Sequence, residues 1–237
     1  MKYFNNPFSL NTNKGKLQFN SAKMLSMFCC SAITMKFIGC LLDVIKEDEK
    51  AVILFVSRDG YFLYKIYREI EKVYDKHRLP RPIYFYSSRQ AASIASIQTE
   101  SDIQVLCSDL GELDQNNLKD LLDLRFQVDF SDEFNISVRE ALSIWGHDGL
   151  LRRVLIRKKE IFSKAKYFRQ SYLKYVKKLQ IERDNSIYLI DMVTRGTVSF
   201  SLSRMLGKKV HLIAFGGLSL PNKYIPEDDD VSLLFGN

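Results

Sequence analysis

Apolar residues along this chain form either short unbroken runs or spaced helical patterns. The runs Ala51–Val56 and Ser186–Ile190 are continuous and rich in branched side chains, which predicts strands buried on both faces. Shorter runs predict two further strands, Ile83–Tyr86 and Lys209–Phe215. Because helical patterns lie between these strands, the expected fold is α/β with a mostly parallel, doubly wound sheet and helical insertions.

The spaced patterns predict the helices. An apolar helix is expected from an N-cap at Ser21 to about Ile45, and a second helix from Tyr61 to Tyr74. Apolar positions three or four apart predict one long amphipathic helix over Leu151–Leu179, with room for one break. The last predicted helix is Gly196–Met205.

The polar and charged segments suggest the domain organisation. Residues 1–20 are polar and predict a flexible N-terminal arm, whereas residues 21–237 predict a single α/β domain. Within that domain, residues 99–150 carry twelve acids against three bases and predict an acidic insertion or cap. Asn116–Leu124 and Ser137–Trp145 predict short helices there, with loop elsewhere.

The net charge of +7 is concentrated between residues 152 and 178, a segment that contains eleven basic residues and one acidic residue. Such a stripe suits an anionic lipid, a nucleic acid or a phosphorylated substrate, and it suits the solvated face of a long helix equally well. Its aromatic residues fall mostly on the apolar side of the predicted helix, which argues against stacking on nucleic-acid bases.

Cysteine usage and hydropathy favour a cytoplasmic protein. The adjacent pair Cys29-Cys30 is a poor disulfide candidate, and the cysteines and histidines lack the spacing of a zinc site. The apolar stretch Met24–Ile45 contains Lys36 near its middle, where a lysine is costly in a bilayer. We therefore expect a buried core helix there rather than a membrane span.

Three predicted strands end in polar loops, which are Ser57–Gly60, Ser88-Arg89 and Asp191–Thr197. Parallel strands collect ligands at their carboxyl ends, so these loops mark the candidate site. The third loop leads into a helix whose N–H groups, with the hydroxyls of Thr194, Thr197 and Ser199, suit a phosphate monoester. An aspartate that caps a helix beside an ordinary loop explains the third loop equally well.

The third loop resembles the donor-binding fingerprint of type I phosphoribosyltransferases. There, an apolar strand leads into two acids, two apolar residues and Thr-Thr-Gly-Thr; here Asp191-Met-Val is followed by Thr194-Arg195-Gly196-Thr197. Ile190 stands where the first acid belongs.

The chain is more similar to the glycan-directed phosphoribosyltransferase domains of bacterial polysaccharide systems, which act as ribofuranosyltransferases. Their first motif appears as Ser57-Arg58-Asp59-Gly60-Tyr61, and their second as Tyr84 or Tyr86 leading into Ser88-Arg89. In the third, Val193 replaces the usual glycine. A haloacid-dehalogenase phosphatase domain is often fused to members of that family, and it needs the motif Asp-x-Asp-x-Thr after a strand. That motif is missing at Asp191, because Val193 stands where the second aspartate belongs.

The resemblance implies a transferase that moves 5-phosphoribose from phosphoribosyl pyrophosphate to a lipid-linked glycan acceptor in O-antigen or capsule biosynthesis. Mg²⁺ is expected as the cofactor, carried mainly by the pyrophosphate and ribose near Asp191, with no dedicated protein ligands. Arg58 is expected to clamp the pyrophosphate, Asp191 to orient the ribose, and Asp59 to act as the base or as a helix N-cap. The implied substrate-binding residues are Ser57, Gly60, Ser88, Arg89, Thr194, Arg195, Gly196, Thr197 and Ser199.

The product would keep its 5-phosphate, so a separate phosphatase is the expected partner, and nucleic acid is not. The expected location is the cytoplasm, at the periphery of the inner membrane. Loss of the first acid at Ile190 favours an alternative, a catalytically inactive module that binds a sugar phosphate or holds a partner enzyme.

Overall fold

The structure of this chain is a computed structural model. It describes residues 9–74, 79–108, 110, 115–217 and 231–235. The chain divides into two compact units, Met1–Glu47 and Asp48–Asn237.

The first unit contains a hairpin and one helix. Strands β1 (Ser9–Thr12) and β2 (Gly15–Gln18) pair antiparallel, where the sequence predicts only a loose arm. Polar strands carry little hydrophobic alternation, so the pattern does not reveal them. Helix α1 (Ala22–Ile45) follows, and its predicted N-cap is confirmed because the Ser21 hydroxyl accepts the backbone N–H of Met24 at 3.2 Å.

Helix α1 is long and apolar enough to cross a membrane, judged by length and composition alone. Core helices of soluble proteins and signal sequences share those two properties. Only 28% of its most apolar stretch is buried. Its buried side chains lie between Thr34 and Ile45, whereas Met27 and Phe28 in the first half are more than half exposed. The prediction of a core helix therefore describes only the second half of α1.

A parallel sheet of five strands forms the second unit's centre. The strands are β3 (Ala51–Val56), β4 (Arg81–Phe85), β5 (Ser186–Thr194), β6 (Val210–Gly217) and β7 (Val231–Phe235). They lie in the order β4-β3-β5-β6-β7, and all neighbours run parallel. Every residue of β3 is buried, as its unbroken apolar run predicts. The predicted α/β fold with a parallel sheet is thus confirmed.

The strand order reverses direction once. The chain places its first strand of this sheet, β3, between the second, β4, and the third, β5. Open parallel sheets bind their ligands at such a reversal, outside the carboxyl ends of the strands. The reversal lies between β3 and β5, so the loops after these two strands face the favoured place for a ligand.

Seven helices accompany the described part of this sheet. They are α2 (Gly60–Val73), α3 (Arg89–Ser96), α4 (Glu100–Ser108), α5 (Leu118–Phe126), α6 (Val138–Ile156), α7 (Lys158–Lys178) and α8 (Thr197–Leu206). On one face, Val52 and Leu54 of β3 join a buried cluster with residues of α3, α7 and α8. On the other face, Phe55 packs against Tyr67 of α2, with ring centroids 5.7 Å apart. Helices therefore cover both faces of the sheet.

The helical pattern predicted over Leu151–Leu179, with room for one break, is confirmed. The break lies at Arg157, between α6 and α7. The apolar spacing runs across this break because both helices bury their apolar side in the same cluster. Helix α4 lies where loop was expected, and no helix was predicted at α3; helices of 9 and 8 residues depend on tertiary packing more than on their own propensity.

The acidic segment builds a second hydrophobic cluster, separate from the one beneath the sheet. The cluster draws on α4, α5 and α6 and on the first half of α7, with Leu122, Phe126 and Ile161 fully buried. The charged side chains of this segment therefore surround a core of their own.

The aromatic side chains of α7 lie mostly on its inner side. Tyr172 is buried, Phe162, Phe168 and Tyr175 are half-buried, and Tyr167 is 65% exposed. A surface that stacks nucleic-acid bases needs several exposed rings in a basic groove. The outer side of α7 presents mainly lysines.

Candidate functional site

Charged side chains from the three polar segments at the carboxyl edge of the sheet interact with one another. The Asp191 carboxyl, within β5, interacts with the charges of Asp59, from the loop after β3, and of Arg89, which follows β4. Sequence reasoning predicts these three residues as one site, and they lie beside the reversal in strand order. Two carboxylates and an arginine that interact electrostatically are therefore the centre of the candidate site.

The loop after β3 holds Arg58 in an unusual backbone conformation. Arg58 has φ of +69°, a left-handed value that is uncommon for a residue with a side chain. Its N–H donates to the Tyr84 hydroxyl at 2.9 Å, which compensates part of the strain. Its side chain is exposed. Strain of this kind concentrates at functional sites, where surrounding contacts keep it in place.

Asp59 lies at the N-cap position of α2, yet its side chain makes no capping hydrogen bond. The carboxylate is exposed and is not used by the helix. Of the two roles expected for Asp59, the N-cap is therefore not the one it has here. The carboxylate remains available to accept a proton from a bound molecule.

Gly60 has a packing role. A Cβ atom built on Gly60 would lie 3.0 Å from the backbone carbonyl carbon of Phe55, tighter than most such contacts. Glycine thus lets α2 start close to β3 without displacing the Phe55 backbone. Its expected contact with substrate is limited to its backbone.

The loop after β4 is anchored by hydroxyl groups. Ser57 donates to the carbonyl of Ser87 at 2.7 Å, which ties the loops after β3 and β4 together. The Ser88 hydroxyl accepts the backbone N–H of Ala91 at 3.2 Å and so serves as the N-cap of α3. Arg89, the first residue of that helix, is exposed. Ser57 and Ser88 thus position the loop, and Arg89 is the group that can reach a ligand.

Two tyrosines of α7 form hydrogen bonds with the loop after β4. The Tyr172 and Ser87 hydroxyls lie 2.6 Å apart, and the Tyr86 N–H donates to the Tyr175 hydroxyl at 2.8 Å. Burial raises the pKa of Tyr172 to about 12, so this phenol stays protonated. Sequence reasoning assigns these tyrosines only to the apolar side of a helix and does not predict their role at the site.

The third loop is shorter than its sequence suggests. Strand β5 continues through Thr194, and Val193 pairs with Gly216 in the sheet. Val193 therefore has extended backbone, and the turn differs from one built on a glycine at this position. Only Arg195, which is half-buried, and Gly196 separate the strand from α8. Gly196 has φ of +75°, a conformation that favours glycine.

The hydroxyls of this loop are used mostly by the loop itself. Thr194 is 3% exposed; its Oγ1 accepts the Gly196 N–H at 3.0 Å and its hydroxyl hydrogen-bonds to Asp191. Ser199 is buried and donates to the Gly196 carbonyl at 2.8 Å. The groups best placed for an anion are then the first backbone N–H groups of α8, which have no partner within a helix.

Thr197 lines a cavity of about 120 Å³ on the far side of this loop. The cavity lies between α3, α4 and α8, and Ser96, Ser201 and Arg204 also contribute to its wall. The guanidinium of Arg204 pairs with Asp102 at 2.8 Å. This arrangement places the Thr197 side chain toward α3 and α4, whereas its backbone belongs to the start of α8.

Asp191 is held in an unfavourable environment for a charge. Burial raises the pKa of its carboxyl, and the negative charge of Asp59 raises it further. Hydrogen bonds from Thr194 and the Met192 N–H lower this pKa, as does the positive charge of Arg89. The Met192 N–H donates to Oδ1 at 2.9 Å. A carboxyl with a perturbed pKa beside charged neighbours at a strand end is a candidate for a functional group.

Among the described residues, no group of three or more histidine, cysteine or acidic side chains is arranged to hold a metal ion. Asp59 and Asp191 are two carboxylates that interact electrostatically. Magnesium ions bound mainly by substrate phosphates take one or two carboxylates from a protein.

A scan against protein-family models finds no match to this chain, and a search of the curated proteins also finds none.

Proposed function

We propose that this protein transfers 5-phosphoribose from phosphoribosyl pyrophosphate to a hydroxyl of a glycan acceptor in bacterial surface-polysaccharide biosynthesis, as O-antigen or capsule. The observation that carries the proposal is the electrostatic coupling of Asp191 with Asp59 and Arg89 at the reversal in strand order. One cation and two carboxylates at this position suit a ligand that has both phosphates and hydroxyls.

The donor is bound at its two ends. The N-terminus of α8 receives the 5-phosphate through backbone N–H groups and the positive end of the helix dipole. Arg58 and Arg89, both exposed at neighbouring strand ends, bind the pyrophosphate with charge-assisted hydrogen bonds. Asp191 accepts hydrogen bonds from the ribose hydroxyls. Contacts far from the reacting carbon thereby align it.

In the reaction, the bond between ribose C1 and the pyrophosphate oxygen breaks, and the pyrophosphate leaves with the bonding electrons. The acceptor hydroxyl attacks C1 from the opposite face with inversion, and its proton passes to Asp59. Arg58 and Arg89 stabilise the charge that develops on the leaving group. Bound with the donor near Asp59 and Asp191, Mg²⁺ would supply charge neutralisation on the pyrophosphate.

The first test is isothermal titration with phosphoribosyl pyrophosphate and Mg²⁺. Replacing Arg89 with alanine removes a charged hydrogen-bond donor, about 2 kcal/mol or roughly thirtyfold in Kd. Arg183→Ala is the matched control, because Arg183 is exposed and precedes β5 at the opposite edge of the sheet. Absence of binding by the unaltered protein at millimolar donor would refute the proposal.

A catalytically inactive binding or scaffolding module is the alternative, and the environment of Ile190 favours it. Ile190 replaces the first acid of the phosphoribosyltransferase fingerprint and is fully buried within the sheet. One carboxylate of β5 is then left for the ribose. Donor binding without release of pyrophosphate, measured with lipid-linked glycan extracts as acceptors, would support the module over the transferase.

The proposed location is the cytoplasmic side of the inner membrane, with a separate phosphatase that removes the 5-phosphate from the product. The exposed apolar half of α1 supports a peripheral association, since Met27 and Phe28 lie in a stretch with lysines and no acid before Asp43. Flotation of the protein with vesicles that contain phosphatidylglycerol tests the location. Equal recovery with and without vesicles would argue against it.

A further inference from the structure

Three tyrosine rings form a connected row whose middle ring is half-buried and whose two end rings are exposed, here called the tyrosine ladder (Tyr61, Tyr84 and Tyr86). The ring centroids of Tyr61 and Tyr84 lie 5.3 Å apart, and those of Tyr84 and Tyr86 lie 5.0 Å apart. Tyr61 is 50% exposed and Tyr86 is 69% exposed. Neighbouring large rings that stay exposed mark a binding surface more often than a requirement of the fold.

The ladder is held in place before any ligand arrives. Tyr84 lies in the edge strand β4 and Tyr86 directly follows it, two residues further on, and their rings are in contact on the same side. Tyr84 also packs against Tyr64 of α2, with ring centroids 5.8 Å apart. The backbone of Tyr86 is fixed by its hydrogen bond to Tyr175. Side chains ordered in advance lose less entropy when they bind.

The ladder adjoins the loop that carries Arg58 and Asp59. The Tyr84 hydroxyl accepts the N–H of Arg58, and the Tyr61 N–H donates to the Arg58 carbonyl at 3.1 Å. A molecule that lies along the rings therefore has one end beside the exposed carboxylate of Asp59. None of the three tyrosines is among the proposed donor contacts, which are Arg58, Arg89 and the start of α8, so the rings are left for a second substrate.

The chemistry of the ladder suits sugar rings. An aromatic face is negative and attracts the slightly positive C–H bonds on the less polar face of a sugar. The phenol hydroxyls, with the Lys65 ammonium 5.8 Å from the centre of the Tyr61 ring, can bond to sugar hydroxyls. Neighbouring rings stand at 70° and 76° to each other, so they do not form the parallel plates that a stack of bases would use.

We infer that the tyrosine ladder is the acceptor subsite, which binds neutral sugar rings of the glycan and presents one hydroxyl to Asp59. The inference rests on the proposed transferase function for the identity of the bound sugar as an acceptor. It adds the residues that recognise the acceptor and the class of molecule that they take.

Saturation-transfer NMR of the full chain with methyl glucoside, methyl galactoside and methyl rhamnoside tests the inference. We expect the C–H protons of at least one glycoside to receive saturation, and each ring removed to weaken binding roughly two- to tenfold. The variant is Tyr61→Ser with Tyr86→Ser, both at exposed positions. Tyr167→Ser is the matched control, since Tyr167 is 65% exposed on α7. Far-ultraviolet circular dichroism confirms that each variant is folded.

Each outcome decides the inference. No transfer to any glycoside at millimolar concentration overturns it, and so does equal binding by the double variant. Preference for adenosine over all three glycosides overturns it as well, because the ladder would then bind bases. Titration with phosphoribosyl pyrophosphate on the same samples separates the two proposals. Donor binding with no sugar binding removes only the ladder, whereas sugar binding with no donor binding removes the transferase.

Discussion

Replacing Asp191 with asparagine is expected to stabilise the fold at neutral pH while it weakens donor binding. The carboxyl is half-buried within β5, and burial outweighs the hydrogen bonds from Thr194 and Met192, so its pKa is raised. Asparagine has nearly the same shape and keeps an oxygen that accepts the Met192 N–H. The substitution therefore removes the cost of the charge and little else.

The size of the effect follows from linkage between protonation and folding. Each unit by which folding raises a pKa costs about 1.4 kcal/mol once the group is ionised in both states. Each kcal/mol gained in this way corresponds to a melting temperature about 2–4 °C higher for a chain of this length.

The sign depends on pH. Because the pKa of Asp191 is higher in the folded state than in the unfolded state, the folded state binds the proton more tightly. The stability that this tighter proton binding contributes to the unaltered protein is fully present below the pKa of the unfolded state. It is lost as pH rises through the pKa of the folded state. The difference between Asp191→Asn and the unaltered protein should therefore be near zero in acid and grow toward neutral pH.

Urea unfolding of both proteins across that pH range measures the difference. Asp184→Asn is the control of opposite sign, because a hydrogen bond from Lys50 at 2.7 Å lowers the pKa of Asp184. Relative to the unaltered protein, that variant should become less stable as pH rises from acid to neutral, because the unaltered protein gains the stabilising contact of ionised Asp184. If Asp191→Asn instead destabilises the protein equally at all pH values, the folded state does not bear a cost for this carboxylate. Its environment is then no sign of a functional role.

Three further substitutions test backbone packing and one hydrogen bond. Gly60→Ala should lower the free energy of unfolding by about 1–3 kcal/mol, since the new methyl group would lie 3.0 Å from the Phe55 backbone; unchanged urea unfolding would contradict it. Gly39→Ala, an exposed position in α1 with open space around it, should instead stabilise by about 0.5–1 kcal/mol in the same assay. Tyr84→Phe removes the acceptor for the Arg58 N–H, so it should cost about 1 kcal/mol and weaken donor binding in calorimetry; unaltered affinity would show that the contact does not position Arg58.

Local chemistry alone predicts the frame of this protein. A strand buried on both faces must be apolar throughout, so β3 and the first half of β5 are visible in the sequence. The N-cap at Ser21 and the polar loops at strand ends are likewise local properties. These features led directly to Asp59, Arg89 and Asp191 as one candidate site.

Tertiary structure decides what each of these residues is free to do. Packing of α2 on Phe55 makes Gly60 a structural residue, and the short turn after β5 uses the hydroxyls of Thr194 and Ser199 internally. The hydrogen bond from Arg58 to Tyr84 joins residues 26 positions apart, which no local pattern encodes. Sequence specifies which side chains can carry charge or cap a helix, whereas long-range contacts determine which of them remain available to a ligand.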